Sequence, residues 1–403
     1  MCGIAGFYGD FNKPLLARMG QALAHRGPDG DGLWVSKQGG VGFAHRRLSL
    51  IDLSEGGRQP MEGVGGRFQT LFNGEIYNYK SLVKRPELMG YSFNRNSDTA
   101  VLAPLFAEHG AAMLNVLEGM FAFALHDTET DTLFLAREHA GIVPLYYAIT
   151  PQGWVFDSEA KALAAVAAEA GIDLSPDTTA LQEYVSCLWT PSARTPVVGI
   201  RKLRPGHYLT AKRVKGKVKV EVVRWWAGAH NHAAPDVPLT HAGIATLWDE
   251  VVAEQCTADV PAGAFLSGGV DSSAVVASMA RTGHTPPQTY CIAFEGAGMA
   301  AEGFEDDEHY AKLMAAHANV PLKTMRVDVN ATLQKLPQLA WMLDEPTADA
   351  APLLVTEIAQ EARRDGLKLL MSGAAGDDVL TGYRRHQSAR LRQVLGPLGG
   401  VAG

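Results

Sequence analysis

Two short stretches of this chain hold residue types that could do chemistry at their spacing. The first is Met1-Cys2-Gly3-Ile4-Ala5-Gly6. A thiolate is a strong nucleophile, and an α-amine free at a chain terminus titrates near neutrality. A cysteine that becomes residue one therefore carries nucleophile and base together. Gly3 lets the chain turn away and leaves such a terminus open; an inert thiol ahead of a strand is the plain alternative. The second stretch is Ser267-Gly268-Gly269-Val270-Asp271-Ser272-Ser273. An apolar run, Ala264-Phe265-Leu266, leads in and a helical pattern follows. Two glycines turn backbone N–H groups toward an anion, and the helix N-terminus adds its positive end. The serine hydroxyls can donate to phosphate oxygens, and Asp271 can hold Mg²⁺ against them. The loop is too short for a Walker A motif and lacks its lysine. It fits a pyrophosphate cradle in which ATP is cut between its α and β phosphates; a bare strand-turn-helix corner is the alternative. A second glycine-rich turn, MSGAAGDDVLTGY at 371–383, again follows an apolar strand, and Asp377 or Asp378 offers a second carboxylate for the same magnesium. Between the two lies LDEPTADAA at 343–351, whose Asp344 and Glu345 precede a helix-breaking proline.

The elements that must position these groups fall into two textures. Residues 1 to about 160 read as short strands at 33–35, 41–51, 68–78, 120–127, 132–138, 144–150 and 154–159, with a helical stretch at 98–110. That pattern predicts an α+β domain with antiparallel sheets. Residues 177–226 read as a short helix followed by a hairpin-like extension, and 227–240 is the best linker. Beyond it strand and helix alternate, with helices over 241–256, 272–283 and 307–318 and strands at 264–266, 289–294 and 367–372. This half predicts a parallel sheet covered by helices on both faces.

Composition narrows the classes. The chain has 403 residues, enough for two domains with cores, and 47% hydrophobic content. A net charge of −7 gives no electrostatic footprint for nucleic acid or an anionic membrane. No apolar run reaches transmembrane length, and the N-terminus lacks signal-peptide character. The four cysteines are scattered, which favours a reducing compartment and predicts a cytoplasmic protein.

SGGVDSS with a downstream SGxxxDD, joined to an N-terminal MCGIAGF, resembles the glutamine-hydrolysing asparagine synthetases. HRGPDG at 25–30, RRLSLIDL at 46–53, NGEIYNY at 73–79, FDSEAKAL at 156–163 and LRPGHYL at 203–209 extend the resemblance over the whole chain. It implies an N-terminal-nucleophile hydrolase-like αββα glutaminase domain over 2–226, the linker over 227–240, and an ATP-pyrophosphatase-type α/β domain over 241–403, truncated at its C-terminal end. It implies removal of Met1 and attack of Cys2 on the glutamine side-chain amide. Asn73 and the Gly74 N–H would bind the oxyanion, Arg47 the α-carboxylate, and Asp98 with Glu75 the α-ammonium. In the second domain Leu266 and Ile292 would contact adenine, with Ser267, Gly268, Gly269, Ser272, Ser372 and Gly373 around the nucleotide and Asp271 and Asp377 on Mg²⁺. Neutral ammonia, carried from Cys2 through a closed passage, would then attack an acyl-adenylate and release AMP. The partners are small molecules, glutamine and a carboxylate acceptor; a homodimer is compatible with the family.

The chain departs from the family where a glutamate gives way to Ala374, which cannot carry a proton. Glu138 and Val143 replace the usual aspartate and lysine. Arg384 and Arg385 form a pair suited to an anionic acceptor. Aspartate is therefore one acceptor and a sugar uronate another. A glutaminase with a defective synthetase site, or a non-enzymatic ATP binder, are further readings.

Overall fold

In a computed structural model the chain is described over residues 1–215, 217–228, 240–294, 307–328, 333–349 and 351–395. It divides into two compact units. One comprises Met1–Asp236 with Pro337–Asp349, the other Val237–Leu336 with Ala350–Gly403.

Twelve strands of the first unit form two antiparallel sheets. They are β1 (Gly3–Gly9), β2 (Gly30–Val35), β3 (Val41–Arg47), β4 (Met61–Gly63), β5 (Phe68–Ile76), β6 (Gly119–Asp127), β7 (Thr132–Arg137), β8 (Tyr146–Thr150), β9 (Gly153–Asp157), β10 (Arg201–Lys202), β11 (His207–Val214) and β12 (Lys217–Arg224). One sheet runs β10-β8-β9-β1-β3-β2 and the other β12-β11-β7-β6-β5-β4. Period-two alternation assigns side chains to layers. Ile4 and Tyr8 of β1 join Phe43, Leu71, Ala122, Trp154 and Phe156 between the sheets. Ala5 and Phe7 turn the other way, onto Leu15, Leu16 and Met19 of the helix Lys13–Ala22 and Leu163 of the helix Ala160–Ala164. Phe68, Phe72, Phe121 and Phe123 pack the opposite outer face under Leu102 and Leu105 of the helix Leu102–His109. Helix, sheet, sheet and helix thus stack as an αββα sandwich. The helix Lys13–Ala22 starts where its composition dictates, with Asn12 accepting the Leu15 N–H at 2.8 Å and Pro14 in the first turn.

Register places the chemistry. β1 pairs with β3 as Gly3 opposite Arg46, and with β9 as Ala5 opposite Asp157. The residue before β1, Cys2, therefore lies beside the chain leaving β3 at Leu48 and the chain leaving β9 at Ser158-Glu159.

The second unit carries a four-stranded parallel sheet in the order β15-β14-β13-β16, where β13 is Ala262–Phe265, β14 Thr289–Phe294, β15 Leu322–Val327 and β16 Leu369–Met371. Helices His241–Gln255, Val270–Arg281 and Asp307–Ala318 cover one face through Val252, Val276, Met279 and Ala311. The helix Ala351–Arg364 covers the other through Ile358 and Ala362 against Tyr290. The strand β15 carries none of the expected strand positions. Its residues, LKTMRV, are only partly buried, and a mixed polar pattern hides an edge strand. Most of the anticipated linker, 229–239, lies outside the described residues, as do the side chains of Arg384 and Arg385. Among the described residues no helix is long and apolar enough to cross a membrane.

Candidate active site

Cys2 lies half-buried at the start of β1. Its Sγ accepts the Leu48 N–H at 3.3 Å and lies 3.6 Å from the Leu48 carbonyl. Burial pushes the thiol above its ordinary value, and the Glu75 and Asp98 carboxylates add to this, while the Leu48 N–H opposes it. A small pocket opens beside the sulfur, lined among others by Cys2, Arg47, Gln59, Gly74, Glu75 and Asp98. Five of the six residues expected around glutamine therefore meet in one cavity, although they come from β1, β3, β5 and the segment before the helix Leu102–His109.

Each is held by its own local structure. Arg47 ends β3 and donates to the carbonyls of Ser54, at 2.9 Å, and Asp52. The Asp52 carboxylate ties that loop by accepting from Ser54 Oγ at 2.5 Å and Asn94 Nδ2 at 2.5 Å. Asp98 is 5% exposed and accepts the backbone N–H groups of Thr99 at 2.7 Å and Ile76 at 3.1 Å. Burial pushes its pKa from 3.8 up to about 6, against the pull of those two N–H groups. Gly74 sits at φ +141°, and a Cβ there would lie 2.0 Å from the Met120 carbonyl of β6. Only glycine fits this close crossing of β5 and β6.

The sixth residue, Asn73, is fully buried and does not line the pocket. Its amide Nδ2 lies 3.4 Å from Ser158 Oγ, which itself accepts the Ile4 N–H at 2.9 Å, and its Oδ1 has no partner. Sequence reasoning missed the groups behind the cysteine. Arg26 Nε donates to the Cys2 carbonyl at 2.8 Å, and Arg26 Nη1 pairs with Glu159 at 2.9 Å. Both residues sit inside quoted motifs, HRGPDG and FDSEAKAL; charged residues next to such turns are the signal that could have marked them. Gln59 is the other omission, its Oε1 accepting the Phe72 N–H at 2.6 Å from inside the pocket.

In the second unit the loop after β13 runs into the helix Val270–Arg281 through Gly268, at φ +86°. A Cβ on Gly268 would fall 2.5 Å from the Asp307 carbonyl. Ser267 Oγ and Ser272 Oγ are 3.0 Å apart, and Ser272 Oγ donates to the Gly269 carbonyl at 3.1 Å. The turn after β16 lies directly against this loop: a Cβ on Gly373 would meet the Ser272 nitrogen at 2.5 Å, and one on Gly376 the Asp271 carboxylate at 2.3 Å. Ser372 Oγ folds back on its own turn and accepts the Ala374 N–H at 3.0 Å. Asp377 lies against Gly382, whose Cβ would meet its Oδ1 at 1.9 Å. Among the described residues no cluster of three or more His, Cys, Asp and Glu is placed to hold a metal; Asp271 and Asp377 lie in the first turns of the helices Val270–Arg281 and Gly376–Leu380.

Leu266 is fully buried in the cluster under the helix Val270–Arg281, while Ile292 packs in the cluster on the opposite sheet face. Alternation along parallel strands turns the two side chains to opposite faces. Leu266 meets its neighbour strand through its backbone, donating to the Tyr290 carbonyl at 2.8 Å.

The chain belongs to the glutamine amidotransferase domain family, whose profile matches residues 1–226, and an asparagine synthase profile matches residues 243–398. It is 33% identical, over 94% of its length, to glutamine-hydrolyzing asparagine synthetase 1 of Bacillus subtilis, covering 59% of that protein. It is 34% identical, over 94% of its length, to a putative glutamine-hydrolyzing asparagine synthetase of Mycobacterium tuberculosis, covering 58% of it. The chain thus spans about three fifths of the length of these curated relatives. A solved structure, the glutamine phosphoribosylpyrophosphate amidotransferase of Bacillus subtilis, aligns over 93% of this chain and 91% of that chain, with TM-score 0.43 and 16% identity.

Proposed function

We propose that the chain is a glutamine-dependent amidotransferase that hydrolyses glutamine at Cys2 and uses the ammonia to amidate an ATP-activated carboxylate. The observation that carries this reading is the single pocket joining Cys2 to Arg47, Gly74, Glu75 and Asp98. With Met1 removed, the Cys2 amine takes the thiol proton and the sulfur attacks the glutamine Cδ. The fork of Arg47 suits the α-carboxylate, and ionised Asp98 with Glu75 suits the α-ammonium. Charge that develops on the amide oxygen meets the Gly74 N–H, with the Asn73 amide contributing if it releases Ser158. Ammonia leaves, water hydrolyses the thioester and glutamate is released.

In the second unit the Ser267–Ser272 segment and the Ser372-Gly373 turn pack closely because Gly268 and Gly373 lack side chains, and the glycine-rich entry to the helix Val270–Arg281 suits a phosphate at its N-terminus. Asp271 and Asp377 suit Mg²⁺, which favours one or two carboxylates with phosphate oxygens filling the rest. Bound there, the ion would offset charge on the leaving pyrophosphate. Ammonia then displaces AMP from the acyl-adenylate.

Aspartate is the first acceptor to test, giving asparagine. Ala374 favours a second reading, another carboxylate such as a sugar uronate, because its methyl group cannot relay a proton. One experiment separates the steps: incubation with glutamine, ATP, Mg²⁺ and aspartate, following glutamate, AMP and asparagine by mass spectrometry. Cys2→Ala abolishes glutamine use and spares ammonia-dependent synthesis; equal loss of both sinks the two-site scheme. Asp271→Asn stops AMP formation and leaves glutamate release intact. Glutamate without asparagine or AMP moves the acceptor to uronates.

A further inference from the structure

Residues Pro337–Asp349 fold into the first unit, although the chain on either side of them belongs to the second. They are anchored by buried charge. The Asp344 carboxylate, at φ +61° on a non-glycine backbone, accepts the N–H groups of Ala160 at 2.8 Å and Lys161 at 3.3 Å. Lys161 Nζ lies 2.9 Å from Asp344 and 2.6 Å from Glu159. Glu159 in turn holds Arg26 at 2.9 Å, and Arg26 Nε donates to the Cys2 carbonyl at 2.8 Å. Asp344 and Glu159 side chains are only 5% and 6% exposed. Trp341 of the same segment closes the cluster, its ring 4.8 Å from that of His25 and 4.8 Å from Lys161 Nζ. His25 Nε2 also reaches the Glu159 carboxylate at 3.0 Å.

We infer that Asp344 is a positioning residue for Cys2: it balances Lys161, so that Glu159 stays on Arg26 and Arg26 fixes the Cys2 carbonyl. Two carboxylates and two cations alternate along this row. Remove the Asp344 charge and Lys161 has one carboxylate left, the one Arg26 needs. Asp157 is already engaged, its Oδ1 accepting the Glu159 N–H at 3.1 Å, and burial pushes its pKa well above the usual carboxylate range. The pocket that would bind glutamine is lined by Cys2 and by none of Arg26, Glu159, Lys161 and Asp344. Loss of Asp344 therefore lowers turnover and not substrate affinity.

This inference rests on Cys2 being the glutaminase nucleophile, and the test keeps the two apart. Glutamate release is measured for the full chain, Asp344→Asn, Lys161→Gln and the double variant. A wild-type chain that releases no glutamate defeats the nucleophile assignment, and this inference with it. Given wild-type activity, Asp344→Asn is expected to lower kcat about tenfold with KM within twofold. Adding Lys161→Gln removes the competing cation and recovers at least half of the lost kcat, as coupled neighbours do; the kcat loss at unchanged KM is the readout that a merely structural role does not move. Wild-type kcat in Asp344→Asn, a loss confined to KM, or a double variant no better than the single overturns the inference. Should Asp344→Asn fail to fold, Glu159→Gln decides: Arg26 loses the carboxylate that holds it on the Cys2 carbonyl, kcat falls with KM held, and unchanged kcat overturns the inference.

Discussion

Asp98 shows what a single buried carboxyl does at this site. It stays within a covered pocket wall because two backbone N–H groups hold it, yet burial still raises it from 3.8 to about 6. A raised folded pKa means the folded state binds the proton more tightly than the unfolded chain. That contribution to stability is complete below about pH 4 and is lost as pH rises through 6. Thermal unfolding of wild type and Asp98→Asn checks the sign: the wild type gains relative to the variant as pH falls from 7 to 5. Activity runs the other way. Only the ionised acid pairs with an α-ammonium, so on the proposed reading KM for glutamine rises several-fold as pH falls below 6, while kcat falls over the same range because the Cys2 amine, the proposed base, is protonated there. A KM flat from pH 5 to 7 would remove Asp98 from the ammonium contact.

At the scale of elements, the two turns proposed to face phosphate pack together through absence of side chains. A Cβ on Gly373 would lie 2.5 Å from the Ser272 nitrogen and 2.7 Å from the Asp271 carbonyl carbon, both backbone atoms that cannot step aside. Gly373→Ala must part the turn after β16 from the start of the helix Val270–Arg281. It is expected to cut ATP–pyrophosphate exchange at least tenfold and to leave glutamate release at Cys2 within twofold of wild type; parallel loss of both would contradict the division of labour. Much of the element layout was readable beforehand because the first sandwich buries strands on both faces, which leaves near-continuous apolar runs such as GMFAFALHD. Strand β15 was not, because an edge strand with partly buried residues has no such run.

Taken whole, the molecule divides inside the anticipated linker, between Asp236 and Val237, but one later segment, Pro337–Asp349, returns to the first unit. The Pro337–Asp349 segment completes the first unit: Glu345 accepts from Tyr146 at 2.8 Å and pairs with Lys202 at 2.9 Å, and the Ala348 N–H donates to the Leu188 carbonyl at 3.0 Å. A fragment of residues 1–236 takes Asp344 and the Trp341 cover from Lys161, which keeps Glu159, and takes Glu345 from Lys202. Its unfolding midpoint is expected to fall below that of the first unit in the full chain. A synthetic peptide of residues 337–349 should raise it with the logarithm of peptide concentration once that exceeds the peptide's Kd. A fragment with unchanged stability and no response to peptide would show the segment to be an ornament of the unit.

The sequence by itself determined an antiparallel α+β half, a parallel-sheet half and the glycine turns, because these follow from local periodicity and from residue types few other roles require; the sandwich and the residues proposed around glutamine came from the resemblance to the glutamine-hydrolysing asparagine synthetases. Only the tertiary structure decided which side chains share a space. Cys2, Arg47, Gly74 and Asp98 are brought together by strand register. Asn73 and Leu266, adjacent in sequence to residues of the sites, are turned into the core by the same alternation that exposes their neighbours. Asp344 reads in the sequence as one more acid between two nucleotide loops. Its partners Lys161, Glu159 and Arg26 lie far off along the chain, and a pairing at that distance is set by packing, which no local pattern encodes.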